Sequence, residues 1–398
     1  MCDHGLTLRS KHPTLELRDS PTAFWPEWTR WPADPLVSDW SVGAEEEVML
    51  LRPDGWQLAQ AMDDVLPALS PPLAPSVSAE THAGALELAT GAHRTPGAVT
   101  GELGMLRRAL AAELAPLGLR VGVAGTHPMA EWREMRVSGG ARYQLLRGTL
   151  RDLVRREPTF ALHVHVAVRD PEVAVDVANR VRAHLPLLLA LSANSPFWRG
   201  RDSGFASTRS PQFQAFPRSG IPRRFDSYAD WVETVRTLID AGAFPEPTFL
   251  WWDVRLQPRF GTIEVRIMDA QSTLPDVGAL VALTQAVARL EAHERYAPDA
   301  LLDAPEVIAE NRFLAARDGI GAELIDPMAR RRVPARVAAR ELLAAARPHA
   351  LELGGLPELE AVHALLDSPP AERQRALARR ASGLPGLVET LSAEFARA

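Results

Sequence analysis

Cysteine is nearly missing from this chain: among 398 residues only Cys2 carries a thiol. An intrachain disulfide and a thiolate zinc site are both excluded, and a reducing, cytoplasmic setting fits that usage. Lysine is equally scarce, occurring once, at Lys11. No GxxxxGK phosphate loop can exist, so anions must be held by arginine forks, helix N-termini or metal ions. Long apolar runs are also lacking. The longest, LPLLLALSA at Leu185 to Ala193, falls well short of the roughly 20 residues that a membrane-spanning helix needs. The opening stretch, MCDHGLTLRSKHPTLELRD, has no apolar signal core. Net charge is −6 and the arginines are scattered rather than massed, so there is no basic stripe for nucleic acid. These absences leave a soluble protein that acts on small molecules.

What is present has a clear order. Residues 1–38 are rich in Pro and Trp and lack periodicity, which predicts an irregular extension laid over the surface or partly disordered. Trp25, Trp28 and Trp31 are expected to pack on their own domain, with a homodimer contact as the alternative. Residues 39–398 are expected to form a single catalytic domain, with sheet and site within 41–320 and a helical remainder over 321–398. Strand-like segments fall at 41–51, 79–90, 119–124, 160–169, 250–257 and 261–268. Helices are expected near 98–117, 171–193, 228–241 and 277–296, then repeatedly from about 303 to the end. The short PRF turn before Gly261 makes the last two strands an antiparallel hairpin. Because the elements do not alternate as βαβα, the predicted class is α+β, an antiparallel sheet of about six strands covered by helices.

Within the first strand, VGAEEEVMLL sets three acids between apolar residues. Alternation sends Glu45 and Glu47 to one face and Glu46 to the other, with Glu45 and Glu47 about 7 Å apart. Two carboxylates at that distance repel by roughly 2 to 3 kcal/mol at an effective dielectric near 20, which a covered strand tolerates only with cations or arginines between them. The bland reading is an edge strand whose acids face water. Other strands argue against it. ETHAGALELATG carries Glu80 and Glu87, GTIEVRIMD puts Glu264 and Arg266 on one face, and ALHVHVAV does the same with His163 and His165. Four strands with one apolar face and one face of acids, histidines and arginine describe a site. An oxygen-rich set selects Mg2+ or Mn2+. The His pair admits zinc as a lesser alternative.

The segment LSANSPFWRGRDSGFASTRSPQF, residues 191–213, follows a helix and carries Asn194, Ser195, Arg199, Arg201, Asp202 and Arg209. Long irregular segments of this kind are commonly binding loops, and guanidinium forks suit carboxylate or phosphate. Further on, Asp253, Arg255 and Arg259 precede Glu264, Arg266 and Asp269. This charge pattern suits a metal-bridged polyphosphate, and equally an ordinary salt-bridge ladder.

Taken in order, VGAEEEVMLL, ETHAGALELATG, ALHVHVAV, LSANSPFWRGRDSGFASTRS, WWDVRLQPRFGTIEVRIMDA and AENRFLAARDGI make the chain resemble the type 2 glutamate–cysteine ligases, carboxylate–amine ligases of the glutamine synthetase-like superfamily. The resemblance spans about residues 41–320. It implies a sheet curved around a funnel where glutamates hold two or three Mg2+ ions on the phosphates of ATP. By position, Glu45, Glu47, Glu80, Glu87 and Glu264 match metal-site acids. His163, Arg266, Arg259, His165 and Arg199 match residues on the nucleotide side, and Arg209 matches the arginine that receives the substrate carboxylate. Arg266, Arg209 and His163 would serve the chemistry most directly. Ala44, Ala161 and Ala167 depart from the family pattern without removing a ligand. The implied reaction joins a carboxylate to an amine through an acyl phosphate, nominally glutamate, cysteine and ATP giving γ-glutamylcysteine. It needs charge neutralisation and no nucleophilic side chain. The rival expectations are a guanidine kinase-like phosphotransferase of the same superfamily and a catalytically silent metal or nucleotide binder.

Overall fold

A computed structural model describes residues 25–32, 39–155 and 158–397. Most of the expected N-terminal extension, with Cys2 and Lys11, lies outside the described residues.

Seven strands form the main sheet: β1 (Val42–Leu51), β2 (Val77–Ala79), β3 (Ala85–Ala89), β4 (Arg120–Gly122), β5 (Ala161–Ala167), β6 (Val254–Gln257) and β7 (Thr262–Asp269). The order is β6-β7-β5-β1-β3-β2, with β4 paired to the far end of β1. Every pairing in it is antiparallel. The predicted β6–β7 hairpin is present, closed by a 3-10 turn at Pro258–Phe260 and by Gly261 at φ 65°, a left-handed position that suits glycine.

One face of this sheet is dry. Val42, Val48, Leu50, Leu86, Leu88, Val164, Val166, Ile263 and Val265 are buried there, within a single apolar cluster that also takes in the helices. The helices used below are α1 (Pro96–Leu114), α2 (Ala141–Leu150), α3 (Pro171–Val181), α4 (Leu185–Ser192), α5 (Tyr228–Asp240), α6 (Leu274–Glu294), α7 (Pro305–Asp318) and α8 (Ala335–Glu352). Thr95 and Thr273 cap α1 and α6 by accepting the amides of Ala98 and Asp276, with Pro96 at the first helical position of α1 and Pro275 at the second of α6. Nearly every residue of α6 from Asp276 to Leu290 is buried, so this helix is the central rod of the apolar layer.

Glu46 explains the third acid of the motif. It points to the dry face, as alternation requires, and is fully buried with Arg107 of α1. Arg107 Nε donates to Glu46 Oε2 at 2.8 Å while Nη2 reaches Glu46 Oε1 and the Gln271 carbonyl. The pair staples β1 to α1 and to the chain after β7.

Several expected elements change in the folded chain. The strand expected over 79–90 is two strands separated by a turn, and Glu80 lies just past the end of β2. In an unbroken strand Glu80 and Glu87, seven apart, would face opposite ways. The break lets both line the same cavity. The helix expected over 171–193 is likewise two, α3 and α4. The expected all-helical remainder contains a hairpin, Glu323–Asp326 with Arg331–Pro334. Helix α2 had no predicted counterpart. Trp25, Trp28 and Trp31 pack on their own chain: their rings lie 5.6, 5.9 and 5.6 Å from those of Tyr228, Trp231 and Tyr228. The Trp31 indole also donates to the Val168 carbonyl at 2.8 Å. Among the described residues no helix is long and apolar enough to cross a membrane.

Candidate active site

Strand register converts the alternating acids into one basin. Glu45 sits opposite His163, Glu47 opposite Glu87, and Glu264 opposite both His165 and Arg255. A cavity of about 420 Å3 opens over this face, lined by Glu45, Glu47, Glu80, Glu87, His163, Arg209, Arg255, Arg259 and Arg266 among others.

Three overlapping groups place their ligand atoms within 4.8 Å of one another: Glu45, Glu87 and His163; Glu45, His165 and Glu264; and Glu47, Glu80 and Glu87. Each has at least two carboxylates and at most one imidazole, which is the donor chemistry of hard cations. The two histidines do not join in one set, so the zinc alternative has no centre here among the described residues. His165 instead places Nδ1 3.0 Å from Thr262 Oγ1.

Electrostatics show what this crowding does without cations. Burial raises the Glu80 carboxyl, and Glu47 and Glu45 add to the effect, carrying it to about 8. Glu87 is raised well above the usual range by burial and by Glu45, Glu80 and Glu47. For Glu45 burial acts upward, yet the His165 and His163 charges and hydrogen bonds outweigh it and hold the group well below that range. Glu264 follows the same logic: burial is overcome by Arg255 and Arg266. Protons and guanidinium groups therefore offset the charge of these acids.

This arrangement has a measurable consequence. From the ordinary carboxyl range up to about pH 8 the folded chain retains a proton on Glu80 that an unfolded chain has released, and Glu87 shifts in the same direction, so stability falls as pH rises through that window. A divalent cation held by these acids would displace those protons. The melting temperature in EDTA is expected to decline from pH 6.5 to 8.5, and saturating Mg2+ should raise it more at pH 8.5 than at 6.5. Parallel curves with and without Mg2+ would contradict the assignment of these acids.

The arginines divide. Arg255 Nε donates to Glu264 Oε2 at 2.5 Å, and its Nη1 donates to the Leu250 carbonyl at 2.8 Å. Arg266 also reaches Glu264, and its Nη1 lies 3.3 Å from His163 Nδ1. Glu264 is thus clamped by two guanidinium groups besides belonging to a ligand group. Arg209 is buried, donating to the Ile267 and Arg266 carbonyls at 3.0 and 3.1 Å. The Nε atoms of Arg209 and Arg266 are buried without a hydrogen-bond partner, in side chains that line the cavity. Arg259 lies on the exposed turn between β6 and β7. Arg199 lines neither this cavity nor its neighbour and stacks its guanidinium 4.4 Å over the Trp198 ring. Arg199 has φ 50° at a tight two-residue turn between two short strands.

The arginine loop is fastened by a residue noted in the sequence but given no role. Asp269, fully buried at the end of β7, accepts the Asn194 amide at 2.8 Å and the hydroxyls of Ser195 and Ser207 at 2.7 and 2.9 Å. Sequence reasoning also missed Arg142 and Tyr143 of α2, which close the cavity roof with Glu246, Thr248 and Trp251. Tyr143 donates to the Ala79 carbonyl at 2.5 Å, and Arg142 lies 4.2 Å over the Phe249 ring.

A second cavity, of about 560 Å3 and also lined by His165, adjoins the first across Glu45, Arg259 and Phe260. Its far wall is largely apolar and backbone: Trp31, Pro32, Ala44, Ala89, Gly91 and Val168.

An antiparallel sheet with an acidic, arginine-bordered funnel defines the class as a glutamine synthetase-like ligase fold. The family model of glutamate–cysteine ligase family 2 matches residues 41–393, and the chain belongs to that family of ATP-dependent ligases forming carbon–nitrogen bonds. A Rubrobacter xylanophilus protein, provisionally named glutamate–cysteine ligase 2-1, is 38% identical over 338 residues, 85% of this chain and 90% of that one. A Sorangium cellulosum relative, provisionally named glutamate–cysteine ligase 2, is 40% identical over 314 residues, 78% of this chain and 84% of its own. Among solved structures, the glutamate–cysteine ligase of Francisella tularensis in complex with AMP superposes with TM-score 0.68 at 14% identity, covering 89% of this chain and 88% of that one. A bifunctional glutathione synthetase from Pasteurella multocida gives 0.67 at 15% identity, covering 89% and 52%. These likenesses carry the fold.

Proposed function

We propose that this chain uses ATP to phosphorylate the γ-carboxylate of glutamate and passes the acyl group to an amine, with cysteine as the nominal acceptor. The observation that carries the reading is the convergence of Glu45, Glu47, Glu80, Glu87 and Glu264 on one basin beside Arg266. The three ligand groups fit Mg2+, and Mn2+ suits the same donors. Bound there, the ions would neutralise phosphoryl oxygens during transfer.

The protein's own groups divide the remaining work. The purine fits the second, more apolar cavity, so its phosphates would cross the wall formed by Glu45, His165 and Arg259. Arg266 would hold a transferring phosphoryl oxygen, with His163 beside it, its pKa lowered by burial and by Arg266. Arg209, with its unsatisfied Nε, would receive the substrate carboxylate. Condensation then proceeds by attack of the free amine on the acyl phosphate, expelling phosphate, with no covalent enzyme intermediate. Asp269 and its serine partners hold the Arg209 loop in register.

The test is incubation with ATP, Mg2+, glutamate and a panel of amines, reading ADP release and new amides by mass spectrometry. Expected is ADP release that needs both glutamate and an acceptor, with an amide product of matching mass. A stable phosphorylated product without amide would identify a phosphotransferase instead, and tight ATP binding with no turnover would identify a silent binder.

A further inference from the structure

Arg182 follows the last turn of α3, far from the acidic basin in sequence, and only 2% of its surface is exposed. Its Nε and Nη1 are buried with no hydrogen-bond partner. Arginines nearby are matched: Arg223 pairs with Asp230 at 2.6 Å, Arg224 with Asp303 at 2.9 Å, and Arg255 with Glu264 at 2.5 Å. The opposite charge that acts on Arg182, Asp303, is already paired with Arg224, and a buried guanidinium with no bonded counter-charge is among the costliest groups a fold can carry.

Beside Arg182 lies a narrow recess of about 20 Å3 between α3, the start of α5 and the back of β6. Its lining includes Asn179, Arg182, Arg223, Trp231, Trp252 and Arg255. That volume admits one water or a monatomic ion and excludes phosphate or a carboxylate. A water needs two to four polar partners and could accept from Arg182, but it carries no charge to set against the guanidinium. The sole side-chain acceptor on the lining, Asn179 Oδ1, already takes the Phe225 amide at 3.0 Å. A halide, by contrast, requires only donors and supplies the missing negative charge.

From this geometry we infer that the cavity behind β6 is a binding site for a single chloride ion, held by Arg182 Nε–H and Nη1–H. The site is separate from the acidic basin, although it touches the strand whose Arg255 clamps Glu264. The inference does not depend on which amide the enzyme forms.

The experiment compares thermal unfolding of the full chain in sodium chloride and in sodium gluconate at equal ionic strength, with a sodium bromide crystal soak for anomalous scattering. Expected are a saturable chloride-specific rise of roughly 2 °C and a bromide peak in contact with Arg182. Arg182→Met should abolish both. Should that variant fail to fold, Ala178→Val fills the same space from α3 and should abolish both while keeping the guanidinium. Equal curves in chloride and gluconate overturn the proposal. So does a bromide peak without a chloride-specific rise, which would mark an adventitious ion only, and so does a chloride effect that persists in Ala178→Val.

Discussion

Glu45→Gln is expected to lower ADP formation by about 1000-fold or more, while the circular dichroism spectrum and urea midpoint stay near those of the parent chain. Glu45 is the one acid shared by two of the ligand groups that pair a carboxylate with histidine, and both histidines lie 3.3 Å from its oxygens. The amide is isosteric, so the basin keeps its shape but loses a negative charge where two cation positions meet. The amide weakens the hold of His163 and His165 on this group but relieves the repulsion that Glu45 exerts on Glu80 and Glu87, so the two changes offset and the fold stays intact. Retention of more than a tenth of the activity with saturating Mg2+ would remove Glu45 from the metal site.

The adjacent acid should behave in the opposite way. Arg107→Met strands the Glu46 carboxylate in the apolar layer and leaves the Gln271 carbonyl without its donor, so a loss of about 3 to 5 kcal/mol in urea unfolding is expected. Replacing both partners, Glu46→Leu with Arg107→Met, removes the buried charge altogether and should recover most of that loss. Activity per folded molecule should stay close to that of the parent in the double variant. A single variant as stable as the double one would show that the pair carries no buried charge penalty. Neighbouring residues of a single strand are thus expected to divide between the proposed site and stability according to the face each occupies.

Much of this was legible because a strand has period two. Once Glu45, Glu47, His163, His165, Glu264 and Arg266 were assigned to strands, their common faces followed from parity alone. Glu80 was legible as a site acid only through resemblance, since its spacing from Glu87 contradicts a continuous strand. The broken turn that resolves this depends on how His82 and Ala83 pair with the segment near Val137, more than fifty residues later. Arg199 and Arg209 looked alike in the loop. One lies over the Trp198 ring, and the other is drawn inward by the carbonyls of β7. Helix α2 has no strong apolar stripe, so the residues it brings over the cavity, Arg142 and Tyr143, gave no local signal.

By itself the sequence determined the chemistry available to this protein. With hardly any cysteine or lysine, anions fall to arginine and cations to glutamate, and alternation determines which acids can share a face. Tertiary structure decided which of those groups meet. The antiparallel order of β3, β1, β5 and β7, the pairing of Glu46 with Arg107, and the isolation of Arg182 all join residues tens to more than a hundred positions apart. Local propensity is blind at that range, because the deciding free energies are those of burying charge and excluding water once the layers close.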